Sequence, residues 1–110
     1  MPLFARARIE VYLPDLPKPG YQDFLDILQR EFTFAFGGCT TIRGLDGHYL
    51  SQAGIVIQDR VNLLYTDLPF ALESDLDLVS RYADELLAIA FDALEEETVL
   101  VVIDEVYHSA

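Results

Sequence analysis

The order of periodicities along these 110 residues predicts an α+β domain: strand, helix, strand, strand, helix, strand. Two observations carry it. Apolar residues recur at period two in four segments and at helical spacing in two, and every change of period but the last coincides with glycine or proline.

Residues 5–13 alternate, with Ala7, Ile9, Val11 and Leu13 on one side and Arg6, Arg8, Glu10 and Tyr12 on the other, which is the pattern of a half-buried strand. Pro14, Pro17, Pro19 and Gly20 end it. From Tyr21 the spacing becomes helical, gathering Phe24, Leu25, Leu28 and Phe32 on one face. Phe32, Phe34 and Phe36 also alternate, so the helix is expected to weaken near Phe32 and to stop at Gly37-Gly38. Residues 39–51 and 54–66 both carry strand residues around a turn at Gln52-Ala53-Gly54, and so predict a hairpin. Gly44 and Gly47 mark a bulge or kink in its first arm. Ser74 is the expected N-cap of the second helix, with Asp77 as a weak capping-box partner. The stripe Leu76, Val79, Ala83, Leu86, Leu87, Ala90 and Leu94 follows. Glu95-Glu96-Glu97 place three acids where a helix end is already negative, and residues 98–107 are the last strand.

That order predicts a single ferredoxin-like βαββαβ sandwich over residues 1–110, a four-stranded antiparallel sheet with both helices on one face. The crossover rule inserts strand three between strands one and two and puts strand four beyond strand one.

Charge is unevenly spread. Residues 67–110 hold twelve acids against the single base Arg81, whereas residues 1–66 hold seven acids and six bases. A net charge of −12 argues against nucleic acid, whose phosphates require clustered Lys and Arg, and against anionic membrane surfaces. No apolar run reaches the ~18–20 residues of a spanning helix, and the start lacks a signal-peptide pattern. The expected setting is cytoplasmic. One cysteine, Cys39, excludes an intrachain disulfide.

Such a sheet leaves one face uncovered. In the last strand Val99, Val101 and Ile103 alternate with Leu100, Val102 and Val106, so both faces are apolar and the second needs a cover. A two-fold copy is the simplest one, which makes the chain an expected homodimer with Leu100, Val102 and Val106 at the interface. Arg6, Arg8 and Tyr12, with Arg43, His48 and Arg60, are the candidate ligand-binding residues. Such arginines can grip a carboxylate or phosphate, giving a small anionic ligand, or they can pair across strands with Glu10, Asp59 or a partner's acids.

Gly37-Gly38-Cys39-Thr40 and Gly47-His48-Tyr49 form the most distinctive stretch. Here the chain resembles small uncharacterised bacterial proteins whose first helix ends in Gly-Gly-x-Thr and whose next strand carries a Gly-x-aromatic element. The resemblance implies the same fold and brings no activity with it. No phosphate-binding glycine fingerprint is present.

The remaining candidates favour structural roles. Cys39 and His48 are nine residues apart, and their parity puts them on different faces, so Cys39 reads as a small buried residue and not a nucleophile. His48 with Asp46 and Asp59, and His108 with Asp104 and Glu105, lack recurring ligand spacing, so no metal and no cofactor is expected. His108 reads as a mobile near-terminal residue. The acids of the second helix occupy its solvated side. The expected function is a non-catalytic homodimeric module that binds a partner or small ligand at its open sheet face. The alternative is a cofactor-free enzyme with a site between sheet and helices near Tyr12, Arg43, His48 and Tyr65.

Overall fold

The computed structural model describes residues 3–94 and 99–109. Strand β1 (Leu3–Pro14) leads into helix α1 (Pro19–Phe36), hairpin strands β2 (Thr40–Leu50) and β3 (Val56–Asp67), helix α2 (Leu72–Leu94) and strand β4 (Leu100–Ser109). The sheet is antiparallel throughout, in the order β2-β3-β1-β4, as the crossover rule requires. The expected ferredoxin-like sandwich is the observed fold.

Alternation in β1 sets the two faces. Ala7, Ile9, Val11 and Leu13 are all but inaccessible to solvent and pack beneath the helices with Phe24, Leu25, Leu28 and Phe32 of α1 and Val79, Leu86 and Ala90 of α2. On β3 the same face carries Leu64 with two buried polar residues, Asn62 and Thr66. Both are satisfied: Thr66 Oγ1 donates to the Gly38 carbonyl at 2.6 Å, and Asn62 Oδ1 accepts the Gly44 N–H at 3.0 Å.

Helix α1 begins at Pro19, where a residue without an N–H costs nothing, two residues before the expected start. It runs unbroken to Phe36. Phe32 is fully buried with its ring tilted against that of Phe36, centroids 6.0 Å apart, so the aromatic alternation does not end the helix. Gly37 closes it at φ 91°, its N–H donating to the Thr33 carbonyl at 3.0 Å.

In α2 the expected cap at Ser74 is not formed. The Ser74 hydroxyl donates to the Ala71 carbonyl and the Asp75 carboxylate, and Asp75 itself departs from helical geometry at φ −126° and ψ 25°. The chain is already helical at Leu72, and the Asp75 break turns Leu76 out of the core to 53% exposure. The acids 95–97 lie outside the described residues.

The hairpin bulge falls where the glycines predicted. Register jumps between Ile42 and Leu45, with Gly44 at φ 69°. Beyond it the arms carry exposed apolar residues on both faces, among them Tyr49, Leu50, Val56 and Ile57.

Candidate functional site

Strand pairing decides which candidate residues meet. Arg8 stands opposite Asp67 on β3 and Asp104 on β4, and Glu10 opposite Tyr65 and Val102. Arg6 pairs with Val106 and Tyr12 with Leu63 and Leu100, and directly opposed residues share a face. The open face therefore holds Arg6, Arg8, Glu10 and Tyr12 in the middle, with Leu100, Val102, Asp104, Val106 and His108 on one flank and Leu63, Tyr65 and Asp67 on the other. Val101 and Ile103 point the other way, against the core.

Arg43, His48 and Arg60 do not join this face. Asp46 pairs with Arg60 and His48 with Gln58, at alternate β3 positions that continue the parity of the buried Asn62 and Leu64. Arg43 reaches Gln22 of α1 at 3.5 Å. Plain alternation puts Arg60 on the Asn62 side of β3 and Arg43 on the Thr41 side of β2, whereas His48 is there because the bulge slips the register of β2 and reverses the parity beyond it. The alternative enzyme site is divided as well, since Tyr12 and Tyr65 lie on the open face while Arg43 and His48 lie on the helix side. The same slip corrects the parity expected for Cys39 and His48. Thr41, bonded by Gln29 of α1, and His48 face the same side, and strand length keeps cysteine and histidine about 25 Å or more apart. Cys39 Sγ instead packs against α1, 3.6 Å from the Gln29 carbonyl. Asp59, opposite Gly47, faces away from Asp46 and His48, and Glu105 faces away from Asp104 and His108.

Arg8 is committed to structure. Its Nε and Nη2 grip the Asp67 carboxylate at 2.6 and 3.2 Å, and its guanidinium lies 4.4 Å over the Tyr65 ring. His108 Nε2 is 2.9 Å from the second Asp67 oxygen, so this histidine is a paired residue of strand β4 and not a free end. The Arg8 hydrogen bond is the main reason the Asp67 carboxyl lies below its ordinary range. Next to this cluster the Glu10 carboxyl is raised, chiefly by hydrogen bonding with Asp104 and then by burial. The Tyr12 hydroxyl donates to Glu10 at 2.8 Å. Asp67 lies one residue past the expected end of β3, and for that reason the sequence did not supply Arg8's partner.

Arg6 is different. It is exposed, and among the described residues it makes no ion pair. It borders an open cleft of about 290 Å³ whose other walls include Gly37, Gly38, Thr40, Tyr65 and Asp67. The glycine pair that ends α1 thus lies beside a guanidinium with no ion pair among the described residues, in a cleft that the Asp67 carboxylate also lines.

No family model matches the chain, and no curated protein does. Solved structures do. CPII, a nitrogen regulatory PII-like protein from Thiomonas intermedia K12 bound to ADP, AMP and bicarbonate, is 14% identical over 99% of this chain and 100% of its own, with a TM-score of 0.56. CutA1 from Oryza sativa is 14% identical over 96% and 84%, at 0.61. A phage SAM lyase in complex with S-methyl-5'-thioadenosine is 16% identical over 96% and 90%, at 0.53. At these identities the likeness establishes a shared fold, and that fold serves proteins of more than one function. Among the described residues no helix is long and apolar enough to cross a membrane.

Proposed function

We propose that the chain is a non-catalytic ligand-binding module that pairs with a second copy through its open sheet face and takes a small anionic ligand in the cleft at that face's margin. The observation that carries this reading is the apolar flank of the uncovered face. Leu100 is 55% exposed, and Val102, Val106 and Leu63 are half-buried with no element among the described residues above them. Covering such a surface removes apolar area from water at about 25 cal/mol per Å². Arg6 and Arg8 give this face two cations, where the whole C-terminal segment 67–110 has only Arg81, so two copies meet here without opposing only like charges. CPII, with the same fold, holds adenine nucleotides and bicarbonate, and the Arg6 cleft offers anion chemistry of that kind.

Sedimentation at micromolar concentration should give a mass near twice 12.4 kDa, and Val102→Asp should give a folded monomer. ADP, AMP and bicarbonate, titrated calorimetrically, are the probes for the cleft. Arg6→Ala should weaken whichever binds and leave the melting temperature unchanged. A wild-type monomer up to its solubility limit would refute the pairing. Binding indifferent to Arg6, or absent at millimolar probe, would refute the ligand site.

A further inference from the structure

A second concave surface lies on the helix side of the molecule, where α1 and α2 run side by side over the sheet. Between them runs a groove of about 320 Å³, mostly apolar in its lining. Leu28 and Leu86 form its floor, each less than a tenth exposed, and Ile27 and Ile89 stand along it at 60% and 57% exposure. Two isoleucines left in water on facing helices, at the lip of an apolar trough, are an unpartnered hydrophobic strip. The strip continues along α1. Ile27, Glu31 and Phe34 share a helix face and border an adjoining hollow of about 380 Å³, where Phe34 is 87% exposed.

Charge narrows what can lie there. Glu31 of α1 and Glu85 of α2 both line the groove and are exposed. The Tyr82 hydroxyl crosses from α2 to donate to Glu31 at 3.3 Å. Burial, with the Glu31 charge beside it, pushes that phenol up to about 12, so it remains a donor throughout the neutral range and holds the carboxylate in place. Arg30 borders the outer hollow and the surface beside it but not the groove itself. An apolar trough between two helices, with a carboxylate contributed by each, complements a third helix that has one apolar and one basic face. A second copy of this chain fits poorly, since each copy carries a net charge of −12 and its helices bring acids to these rims. Anionic lipid is disfavoured on the same ground.

We propose that the α1–α2 groove docks a basic amphipathic helix of a partner protein. The site is independent of the sheet face, so success or failure at either surface leaves the other untouched. Ile27 and Ile89 would receive the partner's apolar stripe, and Glu31 and Glu85 its lysines or arginines.

The probe is a fluorescent Leu/Lys peptide of about 18 residues, long enough to span the groove at ~1.5 Å per residue, with its leucines at helical spacing. A peptide of identical composition with scattered leucines is the control for general attraction to an acidic protein. Anisotropy titration of the full chain should show the patterned peptide binding about ten-fold tighter or more than the scattered one. Ile89→Asp, at an exposed position, should remove about ten-fold or more of that affinity without altering the circular dichroism. Glu31→Gln with Glu85→Gln should weaken binding and flatten its salt dependence. Equal binding of the two peptides, or indifference to Ile89→Asp, would overturn the proposal. Loss of self-association in Ile89→Asp would also overturn it, by assigning the groove to a second copy.

Discussion

Replacing Gly44 by alanine tests the bulge that divides the two faces of the hairpin. Gly44 sits at φ 69°, in the left-handed region, and its N–H is held by the side chain of Asn62, a residue only 2% exposed. The Asn62 amide donates in turn to Asp15 at 3.3 Å, so the bulge is tied to the end of β1. A Cβ at position 44 would fall 2.7 Å from Arg60 Nη2. That clash is relievable, because the guanidinium is the far end of a long exposed side chain. The backbone strain is not, since escape by slipping register would turn residues 45–50 to the opposite face. The expected cost is therefore that of a left-handed non-glycine residue, about 1–2 kcal/mol. For a domain of this size that corresponds to a melting temperature lower by roughly 4–8 °C. Thermal and urea denaturation followed by circular dichroism measure it. Arg60→Ala should lie within about 0.5 kcal/mol of wild type and should not rescue Gly44→Ala. Gly44→Asn should cost less than alanine, because asparagine tolerates this conformation. Full rescue by Arg60→Ala would show that the cost was steric, and a Gly44→Ala protein as stable as wild type would show that the left-handed bulge is dispensable.

Two further predictions concern the core and the open face. Phe32→Ala, at a fully buried position, should lose about 3–5 kcal/mol in urea denaturation. Asp67 and Glu10 should act on pH stability in opposite senses. The lowered Asp67 carboxyl contributes stability above the ordinary carboxylate pKa that is lost as pH falls through its folded value. Asp67→Asn should therefore destabilise by about 1 kcal/mol at neutral pH and converge with wild type in acid. The raised Glu10 carboxyl contributes stability below its unfolded pKa that is lost as pH rises through the folded one. Glu10→Gln should gain on wild type toward neutral pH, and paired melting curves from pH 3 to 8 that showed the reverse would contradict the hydrogen bonding assigned to Asp104.

The sequence by itself determined the order of elements, the fold and the two faces of β1. Those are local matters: period-two apolar residues, helical spacing and glycine or proline at every change but the last leave little freedom, and the crossover rule orders the strands. It also located the bulge, through Gly44, and the double-sided character of β4. What it did not contain was register. That Arg8 meets Asp67 and His108, that Glu10 meets Asp104, and that Arg43, His48 and Arg60 turn to the helix side all depend on which residues lie opposite one another across the strands. A single inserted residue reverses that parity and leaves composition and spacing unchanged. The α1–α2 groove was equally out of reach, because Ile27 and Ile89 lie to the side of the two buried helix faces, where periodicity does not say what they meet. Only the angle at which two helices settle on one sheet decides which side chains fill the interior and which are left facing water.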